Sequence, residues 1–167
     1  MKINHQQLTC SVDDLLATSK VKFQLLAKME DVFIHFARAI AEEIKTNNAA
    51  GNPTRLILPV GPIGQYPILI ELCNRERISW KNVFTFNMDE YCDWQGRPLP
   101  QGHPLSFETY MRTQVFAKLD EDLRIPADQV FFPHPLHLDN ISQQIEKVGG
   151  IDTCYGGIGY HGNIAFN

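Results

Sequence analysis

"RLILPVGPIGQYPILIELCN", Arg55 to Asn74, is the stretch that decides the fold. Arg55–Val60 is a short apolar run between Pro and Gly, the mark of a buried strand. "GPIGQYP" follows as a turn. "ILIELCN" then continues at helical spacing, with Pro67 tolerated in a first helical turn. Strand, tight turn and helix therefore follow in direct succession.

The same alternation extends in both directions. Upstream, Val32, Phe33, Phe36, Ala37, Ile40, Ala41 and Ile44 recur at helical spacing and predict an amphipathic helix over Met29–Lys45. "TNNAAGNP" stops it. Earlier still, Ser11 with Asp14 three residues on resembles a capping box. Downstream, "WKNVFTFNM" predicts a second strand and Pro104–Leu119 a third helix, with Phe107, Met111, Val115, Phe116 and Leu119 on one stripe. "QVFFP" reads as a short strand. "DNISQQIEKVGG" reads as a helix capped by Asp139 and stopped by Gly149, and "IDTCYGGIG" as the last strand. This alternation predicts one α/β domain over residues 1–167, a three-layer, Rossmann-like arrangement of a mainly parallel sheet with helices on both faces.

The 167 residues carry a net charge of −4, and the basic residues are scattered. That argues against a nucleic-acid partner, which needs a Lys/Arg patch, yet leaves room for a small anion bound by backbone N–H groups. The four cysteines, Cys10, Cys73, Cys92 and Cys154, lie far apart with no C-x-x-C and read as reduced thiols. "MKINHQQLTC" has no apolar signal core and no run approaches a membrane span, so a cytoplasmic protein with no membrane partner is expected.

In parallel sheets ligands bind beyond the carboxyl ends of the strands. Three such ends carry chemistry. In "LPVGPIGQY", Gly61 and Gly64, with Gln65 behind them, either present backbone N–H groups to an anion or make an ordinary strand-to-helix turn. In "NMDEY", Asp89 and Glu90 are adjacent on an extended segment and point to opposite faces. One would enter a pocket as a rigidly held proton carrier, the other would serve the structure. The competing reading is a polar loop start with a helix cap. In "YGGIGYHGNIAFN", glycines including Gly157 and Gly159 allow close approach to a ligand, with His161 and Asn163 placed among them. His5, His35, His134 and His137 show no partner pattern and read as surface or satisfied histidines. No His, Cys and acid set has metal-ligand spacing.

At these residues the chain resembles the glucosamine-6-phosphate deaminase/isomerase family, which is related to the 6-phosphogluconolactonases. The resemblance runs from about Arg55 to the end. It is carried by "FNMDEY" (86–91), "HPLSF…YM" (103–111) and "GGIG…G.IAFN" (156–167). The lactonase branch shares the glycine-rich turn but has a D-E-R type sequence at Asp89-Glu90-Tyr91. The resemblance implies a Rossmann-like fold. It makes Asp89 the acid that moves a proton between C2 and C1 of an opened amino-sugar phosphate, with release of ammonia and formation of a ketose phosphate. Glu90 would be its neighbour turned elsewhere, though still counted with the substrate-binding set. Phosphate is expected on the Gly61–Gln65 turn, and Gly157 and Gly159 against the sugar. No metal or organic cofactor is implied. A phosphorylated hexosamine is the expected partner, and a homo-oligomer the expected assembly.

Two departures stand out. The family's last motif reads G-N-D-G-H-I-A-F-N-E, its Asp, His and Glu forming the ring-opening group. Here His161 stands at the Asp position and Asn163 at the His position. Asn has no titratable proton, which leaves His161 as the acid/base available to that turn. "GPIGQ" is shorter than the family's G-G-T/S-P loop and has no hydroxyl. The chain ends after "IAFN", where the family continues, so a C-terminally incomplete domain is expected. Two alternatives follow: a non-catalytic sugar-phosphate binder, and a phosphosugar isomerase or hydrolase with another substrate.

Overall fold

The computed structural model describes residues 9–165. His5, and Phe166 and Asn167 at the end of the last motif, lie outside them. The described elements are α1 (Val12–Thr18), α2 (Met29–Ala50), β1 (Thr54–Leu58), α3 (Gln65–Glu76), β2 (Val83–Asn87), α4 (Phe107–Tyr110), β3 (Val130–Phe131), α5 (Asp139–Lys147) and β4 (Thr153–Cys154). The strands make one parallel sheet in the order β3-β2-β1-β4.

Local signals account for the ends of these elements. Ser11 and Asp14 form the reciprocal capping box of α1, with the Asp14 amide donating to Ser11 Oγ at 3.1 Å. α2 runs past the expected Lys45 to Ala50. Gly51 ends it in the left-handed conformation, φ 71°. α5 starts at Asp139 with Leu138 at the cap position, so Asp139 lies in the first turn and is not the cap. The acid still faces the positive end of the helix dipole. Gly149 (φ 90°) stops it as expected.

The expected helix Pro104–Leu119 is only partly regular. After α4 the chain widens into a π-turn over Met111–Val115 and tightens over Phe116–Lys118. The Thr113 hydroxyl donates to the Thr109 carbonyl at 2.7 Å, the acceptor that the regular ladder uses there, and such back-bonding distorts helices. The apolar stripe survives, because Met111, Val115, Phe116 and Leu119 are all buried.

The core lies between one face of the sheet and the helices α2 and α3. Leu56, Leu58 and Val83 from the strands meet Ile40, Ile44, Leu69 and Cys73 there, with Trp80 beside them. On the other face Phe86 stacks on Phe131 with ring centroids 4.8 Å apart, while Ile57 and Phe84 are only half-buried. Successive crossovers move from β1 to β2 to β3, then α5 returns the chain to β4 on the far side of β1. Right-handed crossovers put α5 on the face opposite α3. The reversal makes a topological switch point between β1 and β4, and open α/β sheets bind ligands at such a point.

None of the four cysteines is in a disulfide, and Cys10, Cys92 and Cys154 are exposed. Cys73 is fully buried and accepts a hydrogen bond from Trp80 Nε1 at 3.3 Å. Burial pushes its thiol up to about 11. At pH 8 iodoacetamide should therefore label the three exposed thiols and spare Cys73 until the protein is denatured, as read by peptide mass spectrometry. Among the described residues no helix is long and apolar enough to cross a membrane, and no group of three or more His, Cys, Asp or Glu could hold a metal ion.

Candidate active site

A cavity of about 170 Å³ opens at the carboxyl ends of β1, β2 and β4. Pro59, Val60, Gly61, Met88, Asp89, Gly157, Gly159, Asn163 and Ala165 line it. It lies at the switch point that the strand order defines.

The first wall follows β1. Tyr66, fully buried, donates its hydroxyl to the Pro59 carbonyl. Gly61 has φ 133°, a conformation rare for residues with a side chain, and joins Pro62 through a cis peptide. The Pro62 carbonyl accepts from Gln65 Nε2 at 2.7 Å. Gln65 is fully buried, and its Oε1 has no partner among the described residues. Gly64 lies under the ring of Phe33, so close that a Cβ would come within 2.4 Å of it. Gly64 and Gln65 thus sit behind the turn, outside the cavity lining.

The second wall follows β2. Asn87 is buried and donates from Nδ2 to the Phe131 carbonyl at 2.9 Å, and the Met88 amide donates to the Leu58 carbonyl at 3.0 Å. These bonds carry the sheet's order one residue past the strand. Asp89 comes next, half-buried on the cavity wall. It is the only ionisable side chain among the described residues lining the cavity. Glu90 turns away from the cavity. Its carboxylate accepts from Ser106 Oγ at 2.9 Å and from the amides of Phe107 and Glu108, each at 2.8 Å.

The third wall follows β4. The Tyr155 amide donates to the Ile57 carbonyl at 3.0 Å. The Tyr155 hydroxyl and Thr153 Oγ1 both donate to Glu43 of α2, each at 2.7 Å. Burial, with the Glu43 carboxylate beside it, holds the Tyr155 phenol protonated well beyond its ordinary range. The chain then passes so close to the first wall that a Cβ on Gly157 would lie 2.8 Å from Pro62 Cδ and 3.3 Å from the Gly61 carbonyl oxygen. Beyond it the loop closes on itself. The Gly159 amide donates to the Asn163 carbonyl at 2.7 Å, and Asn163 Nδ2 donates to the Ala165 carbonyl at 3.0 Å. His161 is exposed, meets Tyr160 edge-on with centroids 5.3 Å apart, and is not among the lining residues.

The fold therefore brings Asp89, Asn163, Gly61, Gly157 and Gly159 together. It leaves His161, Glu90, Gly64 and Gln65 out of the lining. Sequence reasoning missed Pro59, Val60, Met88 and Ala165 as lining residues, and missed the partners of Glu90 and Tyr155. The Ser106 partner has a signal, because "HPLSF" is one of the stretches that carry the family resemblance. Glu43 has none.

Comparison with known proteins comes to the same place. The chain matches no family model. It is 38% identical over 140 residues to the glucosamine-6-phosphate deaminase of Phocaeicola vulgatus, covering 78% of this chain and 50% of that protein. It is 37% identical over 145 residues to that of Borreliella afzelii, covering 83% and 52%. With the Caenorhabditis elegans deaminase it shares 39% over 132 residues, 74% and 46% of the two chains. Among solved structures, a monomeric glucosamine-6-phosphate deaminase superposes with a TM-score of 0.71 at 26% identity, covering 86% of this chain and 58% of that one. The 6-phosphogluconolactonase of Thermotoga maritima shares the fold, with a TM-score of 0.60 at 18% identity over 83% and 61% of the two chains. The chain spans about half the length of the curated relatives that it matches. Over that half, the chain is a homologue of the glucosamine-6-phosphate deaminases.

Proposed function

We propose that this chain carries the proton-transfer half of a glucosamine-6-phosphate deaminase site, acting on an open-chain hexosamine phosphate. One observation carries the reading: Asp89 is the ionisable group on the wall of a cavity formed by three strand ends. At 170 Å³ the cavity is smaller than the roughly 300–1,000 Å³ of most ligand pockets, so it suits the reacting C1–C2 end of the sugar. The Asp89 carboxylate takes the C2 proton and returns a proton at C1. Water enters, ammonia leaves, and a ketose phosphate remains. The phosphate end is assigned to the side of Gly61 and the start of α3, where the helix dipole favours an anion. A homo-oligomer in the cytoplasm belongs to the same proposal, and sedimentation of a single species at the mass of one chain would overturn the oligomer.

The test is phosphorus NMR of glucosamine 6-phosphate with the purified chain, with ammonium assayed in the same tube. A ketose-phosphate signal with matching ammonium is expected. A second reading, a sugar-phosphate binder without turnover, is favoured by Asn163 at the ring-opening position and by the exposure of His161. Broadening of the substrate phosphate line with no product and no ammonium would select it.

A further inference from the structure

We propose that Glu90 is a positioning residue that holds Asp89 in its reactive place, and that the "HPLS" segment exists to receive it. The inference rests on the deaminase reading for its chemistry and on geometry for its mechanism. Asp89 is bracketed. On one side the Met88 amide is tied to Leu58 of β1. On the other, four donors meet the Glu90 carboxylate. Oε1 accepts from the amides of Tyr91 and Phe107, and Oε2 from Ser106 Oγ and the amide of Glu108, all between 2.8 and 2.9 Å. Both oxygens are used twice, which matches the acceptor capacity of a carboxylate. Ser106 is itself fixed, because it is 6% exposed and its Oγ accepts from the Thr109 amide at 3.1 Å.

An acid is required there. A glutamine would supply one oxygen, and its NH2 would face two donors. Half the bracket would turn from attractive to repulsive while the side chain kept its size. The chain on the Glu90 side of residue 89 would then be held by only half of its four donors. A shift of about 1 Å in a reacting group costs on the order of 100-fold in rate.

The rival explanation is that Glu90 merely caps α4. The two differ in where disorder appears. The experiment compares the full chain, Glu90→Gln, Ser106→Ala and Ser106→Thr by backbone ¹⁵N relaxation and by steady-state kinetics on glucosamine 6-phosphate. In Glu90→Gln the order parameter of Asp89 should fall from the rigid range, about 0.85, to below about 0.6. Its kcat should fall ~10- to 100-fold with KM within about twofold, because misplacement affects the transition state more than binding. Ser106→Ala, which loses one donor of four, should show the same pattern more weakly, and Ser106→Thr should restore it. Loosening confined to Phe107–Tyr110, with Asp89 still rigid, would overturn the proposal and leave a helix cap. If Glu90→Gln does not fold, the Ser106 pair decides by the same readout. If the unaltered chain shows no turnover, the deaminase reading fails on its own while the order parameter of Asp89 still decides this one.

Discussion

Asp89→Asn is expected to lower turnover of glucosamine 6-phosphate by roughly 10²–10⁴-fold, the usual contribution of a positioned general acid–base group. Asparagine fills the same volume, and the bonds that Met88 and Glu90 make on either side are untouched by the change. The melting temperature should therefore move little. The sharper readout is hydrogen exchange. In deuterated water the unaltered protein should place deuterium at C2 of recovered substrate, and the variant should not. Wash-in at C2 that persists in Asp89→Asn would remove Asp89 from the role of base. No other lining residue among those described could replace it, since Pro59, Val60, Gly61, Met88, Gly157, Gly159, Asn163 and Ala165 have no group that ionises near neutral pH.

The largest stability effect is expected at Trp80. Its side chain is 1% exposed and lies edge-on to Phe116 with centroids 6.3 Å apart. Its indole N–H meets Cys73, and its backbone amide donates to Leu123 at 2.8 Å just before the chain enters β2. Trp80→Ala leaves a cavity beneath the sheet and should cost about 3–5 kcal/mol. For a chain of this size that is roughly a 10 °C fall in melting temperature. Trp80→Phe keeps most of the volume and gives up one weak hydrogen bond, so it should cost well under half as much. Urea unfolding of both variants separates the two. Equal losses would mean that the indole N–H, and not the packed volume, matters most.

The sheet and its helices were legible because each is announced locally. Apolar runs such as "RLILPV" and "VFTFN" end at Gly, Pro or Asn, and helical stripes such as Ile40, Ala41 and Ile44 repeat within one segment. Asp89 was legible for a related reason: a strand end in a parallel sheet is a known place for a ligand, and an acid there is conspicuous. What stayed hidden depends on chain segments far apart in sequence. Glu90 meets Ser106, Phe107 and Glu108 across a loop whose path no periodicity specifies. Tyr155 meets Glu43 at a separation of 112 residues. The π-turn at Met111–Val115 coincides with one hydroxyl, Thr113, that bonds inward. His161 looked well placed because glycines flank it. Yet the tight loop that they form uses Asn163 to close itself and leaves the imidazole outside.

The contact of Gly157 with Gly61 and Pro62 also limits how this chain can vary. The Gly157 backbone meets the Pro62 ring and the Gly61 carbonyl there, with no room left between them. The two segments are expected to vary as one unit despite lying almost a hundred positions apart. A methyl group added at 157 has nowhere to go unless the segment at 61–62 withdraws. A longer segment at 61–62 that withdraws leaves a gap that only a larger residue at 157 fills. Each change alone is a loss, and together they offset each other, so descendants of this sequence are expected to alter both positions or neither.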